Sequence, residues 1–175
     1  KYAAHVLSLP FISVPTSTSN DGFCSPLSSL LVAGKRKSVD SSIPYGVIAD
    51  INVIATSPER CVYSGIGDLV SKITAGYDWK LAEEKNNEYY SDFAYFISID
   101  SVSDVVERFE GNIRDKKFLM QLVRALLMNG LSMEIACSSR PASGSEHLIS
   151  HAYDKLSETP SMHGLQVGVA TYVCS

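Results

Sequence analysis

Apolar and polar positions follow two different rhythms along this chain. In the front third the apolar clusters are short. "FISVP" (Phe11 to Pro15) is a compact apolar run closed by proline, and it predicts a buried strand. It empties into "TSTSNDGFCSP", hydroxyl and turn residues punctuated by Gly22 and Pro26, which predicts a loop. "YGVIADINVI" (Tyr45 to Ile54) predicts a second strand, reached through "AGKRKSVDSS", a polar hairpin-like or exposed connection. Ahead of both, "KYAAHVL" reads as the last turns of a helix. After "SPER", where Pro58 suits the first turn of a helix, strand signals almost vanish. Helical periodicity then predicts segments from about Ser64 to Lys85, Phe93 to Phe109, Phe118 to Ala136, Gly144 to Leu156, and from His163 onward. The fold class this implies is an α/β tail over residues 1–56 followed by an all-α helical domain over residues 57–175.

Composition narrows the function classes. Hydrophobic residues make up 45% and charged residues 19%, which suits a folded chain rather than a disordered one. A net charge of −4 with no long basic run argues against a nucleic-acid partner. No continuous apolar run reaches the ~18–20 residues of a membrane span, and no signal peptide is read. Cys24, Cys61, Cys137 and Cys174 are scattered without a CxxC pair, so a reduced, cytoplasmic protein is expected.

The chemistry gathers late in the chain. In "RPASGSEHLISH", Ser143 and Glu146 form an S-x-x-E capping box, and the helix it predicts places His147 and His151 one turn apart on one face. His163 follows in "MHGLQVG". This spacing suits a metal site, and it also suits a solvated histidine pair with a separate turn histidine. Asp68, in "SGIGDLVSKITAGYDWKLA", supplies a carboxylate. It could equally complement a helix N-terminus and pair with Lys72 at i+4. Gly65 and Gly67 just ahead of it cost helix stability unless something approaches closely. One Asp and two His leave a fourth position open, as catalytic zinc sites do. Such a site can polarise a substrate oxygen.

Taken together, "PTSTSNDGFCSP", "SGIGDLVSKITAGYDWKLA", "RPASGSEHLISH" and "HGLQVGVAT" resemble the sn-glycerol-1-phosphate dehydrogenase family. Its wider relatives are glycerol dehydrogenase, 3-dehydroquinate synthase and the iron-type alcohol dehydrogenases. The four motifs occur in that family's order across nearly the whole chain. The resemblance implies a dehydroquinate synthase-like fold, with an NAD(P)-binding α/β domain ahead of a helical metal- and substrate-binding domain. By the same resemblance Asp68, His147 and His163 are metal ligands, zinc being the expected ion and nickel the alternative. His151 and Asp68 are catalytic, and Asp21, Asp68 and His151 face the substrate. Thr16, Ser17, Thr18, Ser19 and Ser25 contact NAD or NADP. The expected reaction interconverts sn-glycerol 1-phosphate and dihydroxyacetone phosphate.

One departure stands out. The family's Gly-rich pyrophosphate loop lies upstream of "KYAA" and is not in this sequence, and "AGKRKS" lacks its G-x-G-x-x-G pattern. The expected activity is therefore that of a longer protein, with a non-catalytic metal-binding fragment as the alternative from another class. Within the fold, glycerol dehydrogenase and 3-dehydroquinate synthase are the rivals. Arg140 suits either a substrate phosphate or a salt bridge. Apolar surface left bare by a shortened domain favours association, which leaves a homo-oligomer open.

Overall fold

A computed structural model describes every residue except Gly34, and every side chain except those of Lys35 and Arg36. A short front of mixed structure leads into six consecutive helices. The front holds α1 (Tyr2–Val6), β1 (Ile12–Ser13), a single 3₁₀ turn (Asp21–Phe23), β2 (Leu27–Val32), β3 (Lys35–Asp40), β4 (Gly46–Val47) and α2 (Ile51–Ile54). Then come α3 (Glu59–Val70), α4 (Lys72–Asn86), α5 (Asp92–Glu107), α6 (Lys116–Ala136), α7 (Ser145–Leu156) and α8 (His163–Cys174). The expected α/β front and all-helical remainder are both present.

Several local expectations need correction. The strand expected at Phe11 to Pro15 shrinks to two residues and is not buried, with Ile12 at 56% and the following Val14 at 61% exposed. It pairs in parallel with β4, Ile12 opposite Gly46 and Ser13 opposite Val47. The strand expected from Tyr45 to Ile54 ends after Val47, because Asp50 caps a helix: its Oδ1 accepts from the Asn52 amide at 2.8 Å. An antiparallel hairpin pairs β2 with β3 in register from Leu27–Asp40 to Val32–Lys35: β3 runs through the connection read as hairpin-like or exposed, and β2 fills 27–32, where no element was expected. Gly34, within that connection, lies outside the described residues. Pro58 is the N-cap rather than a first-turn residue of α3. The helix expected from Ser64 to Lys85 divides at Ser71, whose Oγ donates to the Asp68 carbonyl at 2.7 Å.

The main core forms where α3, α5 and α6 meet. Ile54, Val62, Leu69, Leu119, Leu122 and Leu126 are completely buried there, and Val102, Val105 and Phe118 complete the cluster. Burial of such side chains contributes roughly 1.5–3 kcal/mol each and holds the helices in register. Helix α6 is long and apolar enough to cross a membrane by length and composition alone, which departs from the reading of the bare sequence. Its apolar face is this core: 56% of the relevant window is buried. A smaller cluster packs Trp79, Ala94 and Ala136 with Tyr90 and Tyr95, and Trp79 Nε1 donates to the Tyr89 carbonyl at 2.8 Å.

Backbone contact between α3 and α8 is unusually close. A Cβ on Gly67 would overlap the Gly164 carbonyl oxygen, and one on Gly164 would overlap the Ser64 carbonyl oxygen. A Cβ on Gly65 would overlap the Thr18 carbonyl oxygen. The glycines ahead of Asp68 are therefore places where a loop and a helix press onto α3. This crossing carries His163, at the start of α8, toward Asp68 in the last turn of α3.

Candidate metal centre

Asp68 is 1% exposed and sits near the C-terminal end of α3, not near a helix start as the sequence suggested. It therefore does not complement the N-terminus of its own helix. Its two oxygens have separate duties. Oδ2 accepts from the Asp21 amide at 2.8 Å. Oδ1 faces His147 Nε2 and His163 Nε2, each at 4.0 Å. One ligand atom from each of Asp68, His147 and His163 lies within 4.8 Å of the others.

Both imidazoles turn Nε2 toward Asp68, and each Nδ1 is engaged by another side chain. His147 Nδ1 lies 2.7 Å from Glu146 Oε1. A buried carboxylate accepts, so Nδ1 carries a hydrogen, and in the neutral ring this leaves Nε2 as the metal-binding nitrogen. For His163 the fixing runs through three side chains. Gln166 Nε2 donates to Asp154 Oδ1 at 3.0 Å and to the Ser161 carbonyl at 2.8 Å, which orients its amide. Gln166 Oε1 then accepts from Ser150 Oγ at 2.7 Å. That leaves Ser150 Oγ to accept from His163 Nδ1 at 3.4 Å. Two imidazole nitrogens and a carboxylate oxygen thus converge on one point. This donor set fits a divalent ion, whose ligand distances of about 2.0–2.2 Å need only modest contraction of the triad.

Glu146 does more than the expected capping box. The N-cap of α7 is Gly144, and Ser143 makes no capping hydrogen bond to the helix. Glu146 is fully buried, with Oε1 accepting from the Gly144 amide at 2.6 Å and Oε2 from Thr74 Oγ1 at 2.8 Å. Asp78 of α4 accepts from the Ser145 amide at 2.6 Å and completes the start of α7. Burial works to raise the Glu146 pKa, but the hydrogen bonds from His147, Gly144 and Thr74 outweigh it and hold the group below its ordinary value. Glu146→Gln keeps the shape and removes the charge that favours the Nδ1–H form. It is expected to weaken binding of a divalent ion by ~10-fold or more. Competition against a graded chelator measures this.

Beside the triad lies a buried group that the sequence showed only in part. Lys72 is 0% exposed, with Nζ 3.3 Å from Asp68 Oδ1, 3.0 Å from Asp21 Oδ2 and 3.2 Å from the Ala142 carbonyl. The i+4 pairing with Asp68 was legible; the contact with Asp21 was not. Burial lowers the Lys72 pKa, and the charges of Asp21 and Asp68 more than reverse this, so the ammonium persists. Asp68 is held below its ordinary value: burial opposes this, and Lys72, His147 and His163 prevail. Asp21 moves the other way, raised by burial and by the Asp68 charge against the pull of Lys72. The turn at Asp21 is built by its neighbour, since Asn20 Oδ1 accepts from the Gly22 amide at 2.9 Å. The Asx turn here is thus made by Asn20.

Above the triad opens a cleft of ≈ 480 Å³, walled by Asp21, Ser25, Met133, His147, His151 and His163 among others. His151 is half-buried and shares this wall, as the i, i+4 spacing implied. Of the five hydroxyl residues expected at a dinucleotide, only Ser25 lines the cleft; its Oγ accepts from the Leu27 amide at 3.0 Å. Thr16 is exposed, and Ser17 and Ser19 are half-buried in the neighbouring loop. Thr18 is fully buried, and among the described residues its Oγ1 has no hydrogen-bond partner. Ser64 Oγ donates to the Ser19 carbonyl at 2.8 Å and fastens this loop to α3. Arg140 forms a two-pronged ion pair with Glu88, Nε to Oε1 and Nη2 to Oε2 at 2.6 Å each, which favours the salt-bridge alternative.

The glycerol-1-phosphate dehydrogenase [NAD(P)+] of Metallosphaera sedula is 42% identical over 174 residues, covering 99% of this chain and 50% of that protein. The protein of the same name from Pyrococcus furiosus matches with the same identity and coverage. The chain is similar to these glycerol-1-phosphate dehydrogenases over nearly its whole length. It spans about half the length of the curated relatives it matches. Residues 1–58 match the family model for iron-containing alcohol dehydrogenase. The glycerol dehydrogenase of Schizosaccharomyces pombe superposes with a TM-score of 0.77 at 24% identity, over 97% of this chain and 45% of that one. The fold is accordingly that of the glycerol dehydrogenase group, as the four motifs implied.

Proposed function

We propose that this chain forms the metal- and substrate-binding half of a dehydrogenase that interconverts sn-glycerol 1-phosphate and dihydroxyacetone phosphate with NAD(H) or NADP(H). The observation that carries this reading is the convergence of Asp68, His147 and His163 beneath a cleft that Asp21 and His151 also line. Zinc is the proposed ion, and two nitrogens with one carboxylate oxygen also suit nickel or iron. A divalent ion held there supplies Lewis-acid polarisation of a substrate oxygen. The remaining work falls to side chains. Asp21 orients a substrate hydroxyl from the wall of the cleft, and His151 exchanges the alcohol proton through its imidazole. The loop of Thr16 to Ser19, with Ser25, is proposed to line the dinucleotide.

Domain roles follow from the same reading. Residues 1–56 are taken as the tail of a nucleotide-binding α/β domain, supported by the parallel pairing of β1 with β4. Residues 57–175 form the helical domain that holds the metal. None of the four cysteines is in a disulfide, which supports a reducing compartment such as the cytoplasm.

Turnover by the intact protein tests the substrate. With zinc and either nucleotide present, oxidation of sn-glycerol 1-phosphate is expected at a kcat/KM at least ~100-fold above that for glycerol, because the phosphate supplies charged contacts that glycerol cannot replace. Turnover of glycerol alone would reject the phosphorylated substrate in favour of glycerol dehydrogenase. Zinc binding with no turnover of either would favour a non-catalytic metal-binding role.

A further inference from the structure

The buried Lys72 ammonium has three partners: Asp68, Asp21 and the Ala142 carbonyl. Its ammonium touches Asp68 Oδ1, the same oxygen that faces both imidazoles, and not Oδ2, which is taken by the Asp21 amide. The cation is therefore bonded to the oxygen that a divalent ion in the triad would need. Its second anchor, Asp21 Oδ2, is closer: 3.0 Å against 3.3 Å. Asp21 stands on the turn between Asn20 and Phe23, which belongs to the front of the chain, whereas Lys72 and Asp68 belong to the helices. With the Ala142 carbonyl as its third partner, the ammonium has two places to put its charge when Asp68 is claimed by a metal.

We propose that Lys72 is a positioning residue that competes with the divalent ion for Asp68 Oδ1, and that Asp21 tunes this competition by drawing the ammonium away. Asp21 then does more than face the substrate: it links the front loop to the metal affinity of the helical part. The proposal rests on the reading of Asp68, His147 and His163 as a metal site. The physical case is electrostatic. A fixed positive charge within a few ångströms of a ligand oxygen disfavours a dication on the same oxygen, and low exposure leaves little water to screen it. Deleting that charge favours the metal, and deleting Asp21 strengthens the ammonium's hold on Asp68.

The test uses the intact protein stripped of metal and titrated with Zn²⁺, reading both the Zn²⁺ dissociation constant and the difference in Tm between zinc-loaded and zinc-free forms. Lys72→Met is expected to tighten Zn²⁺ binding about ten-fold or more and to widen that Tm difference, the scale on which groups behind metal ligands act. Asp21→Asn is expected to weaken binding by a similar factor. The deciding comparison is Asp21→Asn against Asp21→Asn/Lys72→Met, a pair in which the charge of Asp21 is absent from both. Tighter binding in the double variant supports competition by Lys72; equal or weaker binding overturns it. A lysine that merely supported the fold would lower the Tm of both forms alike and leave the difference unchanged. If Lys72→Met fails to fold without metal, the double variant, which no longer has the Asp21 charge to leave unpaired, decides the same question. No zinc-dependent Tm change in the wild-type protein overturns the metal reading itself, and the competition with it.

Discussion

Replacing His147 by alanine is expected to empty the triad of its divalent ion and to lower the proposed dehydrogenase activity by about a thousand-fold or more, equivalent to several kcal/mol of charge stabilisation. Three protein donors converge on the site, and two of them hold an ion poorly where three hold it well. His147 is the cleanest ligand to remove. Its side chain is 10% exposed, and the Glu146 it leaves behind still accepts from Gly144 and Thr74. Asp68→Ala should empty the site as well, yet it also strips Lys72 of one of its two buried counter-charges, so a loss of stability would blur the result. Elemental analysis of the purified protein, beside turnover and Tm, separates these effects. His151→Ala provides the contrast: metal retained near stoichiometry with activity lost, because His151 lines the cleft without joining the triad. Metal retained in His147→Ala would reject the ligand set.

What could be read from the bare chain depended on whether its cause was local. The helices from α5 to α7 announced themselves because their apolar residues recur at helical spacing and their starts carry Ser, Asp or Gly–Ser signals, whereas α8 begins after Met162 with no side-chain cap. The run "YGVIADINVI" misled because β-branched residues signal a strand, while one Asp at position 50 is enough to cap a helix and end it. "LSSLLV" lacks strict alternation, so β2 becomes evident only once β3 pairs with it. In the site, His147 and His151 share a face through the helix repeat alone. The contact between Lys72 and Asp21 joins residues 51 positions apart, and no pattern in the chain encodes it. Glu146 was visible, but as a capping residue; its sequence neighbour His147 was the clue that it could orient a ligand. Two glycines in a helix, costly by propensity, marked a close approach without saying to what.

That close approach is the basis for the second large effect: Gly164→Ala should destabilise the protein by about 3 kcal/mol, at the upper end of what overpacking costs. In a chain of this size the Tm would fall by roughly 6–12 °C. Helix propensity argues the opposite, since alanine is favoured over glycine in a helix by about 1 kcal/mol. Geometry decides the sign. A Cβ on Gly164 would overlap the Ser64 carbonyl oxygen and come within 2.7 Å of Ser64 Oγ, and backbone at a helix crossing cannot rotate away as a long side chain can. Gly168, one turn on, brings its would-be Cβ to 2.9 Å from Gly67 Cα, so sliding α8 along α3 offers no relief. The remaining escape is for α8 to lift off α3. His163 is the first residue of α8 and Asp68 is one residue from Gly67, so lifting opens the triad between them. Gly164→Ala is therefore expected to lose metal affinity as well as stability, although it touches no ligand. Calorimetry and chelator competition on the same samples check the pair of effects. A variant less stable but unchanged in metal affinity would mean that α8 accommodates the methyl group without moving His163, and that the glycine crossing serves the fold alone.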